Sequence, residues 1–171
     1  MNHYDKTDFS ITSEEAELRV DEQCRKLLKD FHRQLLRSGV SPHEAGTLAH
    51  GADYFLRDYL VSARRRNLFQ ENAGIVRSFA ATWYIITTLD PSIAELESHL
   101  RGIREFYRFL HSEKLVSGTF LALVEKECDD LHWYEERIES FWNITDDGYL
   151  AWERECSLKE GCDKTRGDRS L

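Results

Sequence analysis

The sequence predicts an all-α fold, a compact bundle of about five helices followed by a short C-terminal helix and a disordered tail. Apolar residues recur at helical spacing along most of the chain, and helix-capping signals stand before these stripes. A chain of 171 residues can also bury a core without disulfides or metals. We expect a flexible N-terminus at residues 1–12, a helical domain at 13–143, the short helix at 144–156 and the tail at 157–171.

The first two helices have clear start and stop signals. Thr12 and Glu15 form a capping box, in which the hydroxyl accepts from a backbone N–H and the carboxylate reaches back. Gly39 supplies the left-handed residue that ends the helix, and Ser41 followed by Pro42 opens the second helix. The apolar stripe of the first helix consists of Cys24, Leu27, Leu28, Phe31 and Leu35. That of the second consists of Leu48, Ala52, Phe55, Leu56 and Tyr59.

Three further helices follow a polar loop. The third is predicted over about residues 73–88, although its β-branched residues lower the helix propensity. Asp90-Pro91 breaks the chain, Ser92 caps the fourth helix, and Ser117 caps the fifth, which we expect to continue without a break to Asn143. The residues expected to face inward in the third helix are Ile75, Phe79, Trp83 and Ile86. Those in the fourth are Leu96, Leu100, Ile103, Tyr107 and Leu110, and those in the fifth are Phe120, Val124, Leu131, Ile138 and Phe141.

Charge and hydropathy restrict the class of protein. The net charge of −8 opposes nucleic acid and anionic lipid on average, so DNA binding would need a local basic patch. No apolar run is long enough to span a bilayer or to act as a secretory signal. We therefore predict a cytoplasmic protein with no membrane partner, whose four cysteines stay reduced.

No catalytic or cofactor motif is recognisable, so we expect neither catalysis nor a bound cofactor. The best metal candidate is Cys128 with His132, four residues apart on one helical face, with Glu125 and Asp129 close by. A structural zinc site needs four ligands, and the sequence offers no second ligand pair. We interpret this feature as a buried thiol beside a surface histidine and predict no metal site.

Four segments of the helical domain resemble a known family. They are Leu36-Arg37-Ser38-Gly39-Val40-Ser41, Tyr54-Phe55-Leu56-Arg57-Asp58-Tyr59-Leu60, Phe79-Ala80-Ala81-Thr82-Trp83-Tyr84-Ile85 and Ile103-Arg104-Glu105-Phe106-Tyr107-Arg108-Phe109-Leu110. Their order is similar to that of the helical N-terminal core-binding (SAM-like) domain of tyrosine recombinases and phage integrases. It is also similar to uncharacterised bacterial proteins made of that module alone.

The resemblance implies a helical module that clamps one side of DNA. A recombinase also needs a second domain with an Arg, a His-x-x-Arg pair and a nucleophilic Tyr, and these residues have no counterpart here. The core-binding domain is usually basic, whereas this chain is acidic. The resemblance therefore implies a fold without catalysis and leaves DNA binding as an alternative.

Two groups of arginines could contact phosphates. Arginine binds phosphate bidentately, and such contacts supply most non-specific affinity for DNA. The alternative is an ordinary solvated helix face, paired locally with Glu97 and Glu105. The DNA-binding candidates are Arg64, Arg65 and Arg66 in the loop after the second helix, and Arg101, Arg104 and Arg108 at spacings of three and four in the fourth.

The C-terminal helices hold more aromatic residues than one buried stripe can absorb. Either the C-terminal segment folds back over the fifth helix, or a second chain covers these rings. The interaction-surface candidates are Trp133, Tyr134, Tyr149 and Trp152. We therefore predict a non-catalytic helical binding module for a protein partner or for self-association. An accessory DNA-binding protein and an enzyme of unrecognised type are the alternatives.

Overall fold

The computed structural model describes residues 4–156, and within that range the chain is helical and has no strand. A 3-10 helix covers Lys6–Phe9. The other helices are α1 (Glu14–Arg37), α2 (Pro42–Asp53, continued as a π-helix over Tyr54–Ala63), α3 (Ile75–Ser78, then π-helical over Phe79–Trp83 and α-helical over Tyr84–Thr87), α4 (Ile93–Ser112), α5 (Gly118–Cys128), α6 (Leu131–Trp142) and α7 (149–156). The all-α prediction is confirmed. Of the helices in residues 4–156, none is long and apolar enough to cross a membrane.

The ends of α1 follow the expected chemistry, with a shift of one residue at the start. Ser13, not Thr12, is the cap, because its hydroxyl accepts from the N–H of Ala16 at 3.0 Å. The predicted capping box at Thr12 is therefore wrong by one position. At the other end Gly39 has a φ of 90°, and the next N–H, of Val40, donates to the carbonyl of Leu35 at 3.1 Å. All five residues of the predicted apolar stripe are buried.

The π-helical turn in α3 changes which residues face the core. Of the four predicted inward residues, only Phe79 is fully buried, and Ile86 is 41% exposed. A π-helical turn holds more residues than an α-helical one, so the residues after it rotate away from the α-helical stripe. Tyr84 and Ile85 consequently face inward, and Trp83 is only partly buried against the core.

The crossing of α2 and α4 lies at the centre of the bundle. Gly51 and Gly102 meet there, and a Cβ on Gly102 would lie 2.3 Å from the carbonyl oxygen of Leu48. The two backbones can approach this closely only because neither residue has a side chain. The predicted stripes of α2 and α4 are buried on either side of this crossing.

The predicted fifth helix is in fact two helices. α5 ends at Cys128 and α6 begins at Leu131, because Asp129 and Asp130 form the break. Aspartate competes for local hydrogen bonds and favours helix ends. The bend lets the Tyr134 hydroxyl donate to the carbonyl of Glu127 at 2.6 Å. The continuous helix to Asn143 is therefore a wrong prediction.

The N-terminal segment differs from its prediction, and the predicted C-terminal tail lies outside the described residues. Residues 4–12 are folded rather than flexible, because Phe9 is buried and meets the Phe69 ring edge-on at 4.8 Å. The short C-terminal helix is present as α7, with Trp152 buried. Residues 1–3 and the predicted disordered tail at 157–171 lie outside the described residues.

Candidate binding site

The arginine stripe of α4 is paired with carboxylates of α4 itself and of neighbouring segments. Arg101 pairs with Glu44 of α2, and Arg104 pairs with Asp129. Nε of Arg108 lies 2.7 Å from an oxygen of Glu125, and its Nη1 lies 2.6 Å from Glu105, which raises the pKa of Arg108. Every arginine of the stripe therefore has a carboxylate partner. The alternative of a locally paired helix face thus fits these contacts better than a phosphate site.

The second group of arginines does not join the stripe in one patch. Arg64, Arg65 and Arg66 follow the last residue of α2, whereas Arg101 contacts Glu44 in its first turn. About twenty helical residues separate Glu44 from Arg64 along α2, a distance on the order of 30 Å. Arg64 lies 5.3 Å from the centre of the Tyr59 ring, and Arg65 pairs with Glu17 at 3.0 Å.

The predicted aromatic surface is mostly interior. Tyr134 is fully buried and Trp152 is 3% exposed, so these two residues belong to the core and cannot form an outer surface. Trp133 is half-buried against the same core. Tyr149 alone of the four is substantially exposed, at 38%. The C-terminal segment folds back over α6 and hides Trp152 against Phe141, whereas the Tyr134 hydroxyl faces Glu127 at the end of α5.

Arg137 of α6 holds that fold-back in place. Its guanidinium is buried, with its Nε donating to the carbonyl of Ala81 at 3.0 Å and its Nη1 to the carbonyl of Trp152. The cation lies 3.7 Å from the centre of the Trp152 ring, and an oxygen of Glu155 lies 3.4 Å away. Burial lowers the pKa of Arg137. One side chain therefore joins α3, α6 and α7.

The metal candidate has the geometry of a buried thiol beside a surface imidazole. Cys128 is buried, and burial raises the pKa of its thiol to about 12. His132 is 86% exposed and faces Glu136 at 3.3 Å. Across residues 4–156, no group of three or more histidine, cysteine or carboxylate side chains is arranged to hold a metal ion.

A groove of about 550 Å³ between α1 and α2 is the feature that our sequence analysis missed. Its volume falls in the range of ordinary ligand sites. Its apolar lining, which we call the floor, consists of Leu28 of α1 with Gly46 and Ala49 of α2. Its walls carry Arg25, Lys29, His32 and Arg33 from α1 and His50 and Asp53 from α2. We call this feature the α1–α2 groove.

The anionic side chains around the α1–α2 groove are already occupied. Arg57 donates from Nη1 to Asp53 at 3.1 Å and binds both oxygens of Asp21, at 2.8 Å and 3.2 Å. These hydrogen bonds, chiefly the one to Asp21, raise the pKa of Arg57. Arg25 reaches Asp21 at only 3.6 Å, and Arg33 lies 3.1 Å from Asp30. The groove therefore presents a cationic wall on a chain of net charge −8.

The wall cations are more exposed than the arginines of the α4 stripe, so they exchange partners more easily. The side chains of Arg25 and Arg33 are 54% and 61% exposed, and exposed ion pairs contribute only about 0–1 kcal/mol. Lys29 is exposed between them. A ligand carboxylate can replace the present partners at little cost. The sequence signal was a basic residue at every fourth position beside the apolar stripe of α1, facing small residues of α2.

Comparisons with protein-family models, curated proteins and solved structures found no match. The resemblance to the recombinase core-binding domain therefore remains a prediction. The described residues form an all-helical bundle with a cationic groove between α1 and α2.

Proposed function

We propose that this protein is a non-catalytic helical binding module that takes an acidic segment of a protein partner in the α1–α2 groove. The observation that carries the proposal is the combination of an apolar floor with a cationic wall in one groove. Binding of phosphate alone would require only the cations. A peptide can in addition place an apolar side chain on the floor while its carboxylates contact the wall.

The wider charge distribution supports a peptide over a nucleic acid. The net charge of −8 repels a duplex as a whole, because a duplex carries a charge about every 1.7 Å along its axis. A short acidic segment meets mainly the local field of the groove, since charges beyond about 8–10 Å are screened at physiological ionic strength. The six arginines predicted for DNA are, in addition, divided between two ends of α2.

The proposal is tested by selecting peptides from a random display library on the intact protein. The groove variant carries Arg25→Gln, Lys29→Gln and Arg33→Gln, and a matched control carries Arg19→Gln, Arg66→Gln and Lys126→Gln, three exposed cations elsewhere. We expect enriched peptides with an excess of Asp and Glu around an apolar residue. Their affinity should fall at least about tenfold in the groove variant and stay unchanged in the control. Selected peptides that bind both variants as well as wild type would refute the proposed site.

Duplex DNA provides the competing outcome. Electrostatic binding is strongest at low salt, so the assay uses a labelled duplex at low ionic strength. Binding that is lost in the groove variant, or on replacing Arg101, Arg104 and Arg108 by Gln, would favour the accessory DNA-binding alternative. No duplex binding under these conditions would remove that alternative.

A further inference from the structure

The protein carries on another face the kind of surface that its own groove fits. The outer side of α6 presents Glu135, Glu136 and Glu139, all exposed, and Trp142 is 58% exposed. Residues three, four and seven positions apart lie on one side of a helix. Glu135, Glu139 and Trp142 meet that condition, so α6 has two carboxylates one turn apart and an apolar ring in the next turn.

We propose that the acidic face of α6, with Trp142 as its apolar anchor, docks in the α1–α2 groove of a second copy of this chain. This inference rests on the proposed function of the groove and names its occupant. Arg25, Lys29 and Arg33 recur every four residues along α1, about 6 Å apart, and Glu135 and Glu139 have the same spacing along α6. Two of the three cations can therefore meet two carboxylates while the Trp142 ring covers the floor.

Pairing within one groove overcomes the repulsion between two acidic molecules. The overall charges of two copies repel, but this repulsion is screened beyond about 8–10 Å at physiological ionic strength. The ion pairs in the docked groove lie well within that distance and are screened less. Burial of Trp142 adds an apolar contribution that salt does not weaken.

Other segments of this chain match the groove less well. Residues 157–171 contain four basic and three acidic side chains, so they lack the net negative charge that would complement a cationic wall. Tyr149 and Leu150 are also exposed, but they belong to α7, whose inner side is fixed by Arg137. The face of α6 combines negative charge with an exposed ring on one rigid helix.

The test measures association by sedimentation across a concentration series of the full chain. One variant reverses the groove (Arg25→Glu, Lys29→Glu and Arg33→Glu), and a second reverses the acidic face (Glu135→Lys and Glu139→Lys). A third carries Trp142→Ala alone. The matched control reverses three exposed cations away from the groove (Arg19→Glu, Arg66→Glu and Lys126→Glu). Circular dichroism verifies that each variant retains the helical fold.

We expect the wild-type protein and the control to associate, and each of the three test variants to weaken association at least about tenfold. An equal mixture of the groove variant and the acidic-face variant should associate again, because one molecule retains an intact groove and the other an intact acidic face. The reversed charges are also complementary to each other in that mixture. Variants that had merely lost stability would not recover association on mixing.

Three outcomes would overturn the inference: a monomeric wild-type protein at every concentration, association unaffected by reversal of the groove or of the acidic face, or a mixture that stays monomeric. A monomeric protein whose groove still selects acidic peptides would overturn the second copy as occupant and leave the proposed function in place. Selected peptides whose affinity does not depend on the groove cations would overturn both the proposed function and this inference.

Discussion

At the scale of single residues, Arg137 shows what an amphipathic pattern leaves out. On a helix as rich in charge as α6, the pattern predicts that an arginine lies in solvent. Here the cation is 2% exposed and its donors are used by backbone carbonyls of α3 and α7. The sequence could not show this, because the carbonyl of Ala81 reaches Arg137 only once α3 packs against α6, and that of Trp152 only once α7 has folded back.

Replacing Arg137 should therefore be costly. Arg137→Ala leaves the carbonyls of Ala81 and Trp152 without their donor and removes the cation from the Trp152 ring, a loss of roughly 2–4 kcal/mol in the free energy of unfolding. Arg137→Lys should recover only part, because lysine lacks the planar fork. Arg154→Ala, in the exposed part of α7, is the control and should change stability by less than about 0.5 kcal/mol. Urea unfolding measures the difference, and equal midpoints for the two alanine variants would contradict the role given to Arg137.

At the scale of elements, sequence reasoning succeeded where the physics is local. The caps at Ser41, Ser92 and Ser117 were predicted, and each hydroxyl accepts from a backbone N–H three residues on. The apolar stripes of α1, α2 and α4 were predicted for the same reason, since they depend only on spacing. The π-helical turn of α3 depends on packing between helices, which spacing alone does not encode. The Asp129–Asp130 break has a local cause, the preference of aspartate for helix ends, which the spacing of apolar residues does not show.

A side chain at Gly102 should destabilise the close crossing of α2 and α4. In Gly102→Ala the new Cβ would meet backbone atoms of Leu48 and Ala52 at 2.3 Å and 2.9 Å, which no rotamer change can relieve. We expect a loss of about 2–3 kcal/mol in the free energy of unfolding, measured by thermal and urea unfolding. In Gly118→Ala the nearest atom is the His111 ring at 3.6 Å, so this control should stay within about 0.5 kcal/mol of wild type. A stable Gly102→Ala variant would mean that the two helices cross less closely than described.

The cap of α5 should make stability depend on acidity. The Glu71 carboxylate accepts from the backbone N–H and the hydroxyl of Ser117, both at 2.7 Å. These hydrogen bonds lower the pKa of Glu71 from its usual value of 4.5. A lowered pKa in the folded state gives a contribution that is present above pH 4.5 and is lost as the pH falls through the folded value.

The experiment compares wild type with Glu71→Gln by urea unfolding at neutral and acidic pH. Wild type should be the more stable at neutral pH, and the gap should narrow below about pH 4.5 as the carboxylate becomes protonated. Ser117→Ala removes one of the two donors and should reduce the same gap. A difference that stays constant from neutral to acidic pH would show that the Glu71 charge does not support this cap.

At the scale of the whole molecule, the candidate site could not be predicted because it belongs to no single element. The basic residues of α1 and the small residues of α2 are unremarkable in each helix, and they form a groove only where the two helices meet. The predicted arginine and aromatic sites were chosen from residue type and helical spacing, which do not include the neighbours that tertiary structure brings. Tertiary structure then supplied carboxylate partners for the arginine stripe and covered Tyr134 and Trp152.

The last prediction concerns α7 as part of the folded domain. Deleting residues from Thr145 onward removes Trp152, whose ring lies 5.1 Å from that of Phe141, and takes a carbonyl from Arg137. The deletion should lower the free energy of unfolding by roughly 3 kcal/mol or more and reduce solubility, because it uncovers apolar surface. Deletion from residue 157 onward keeps α7 and serves as the matched control, with stability equal to wild type. Both deletions keep Glu135, Glu139 and Trp142. If the deletion from Thr145 unfolds earlier but still associates through the groove, α7 has a structural role that is separate from the binding role of α6. Equal stability of the two deletions would instead mean that α7 contributes nothing to the core.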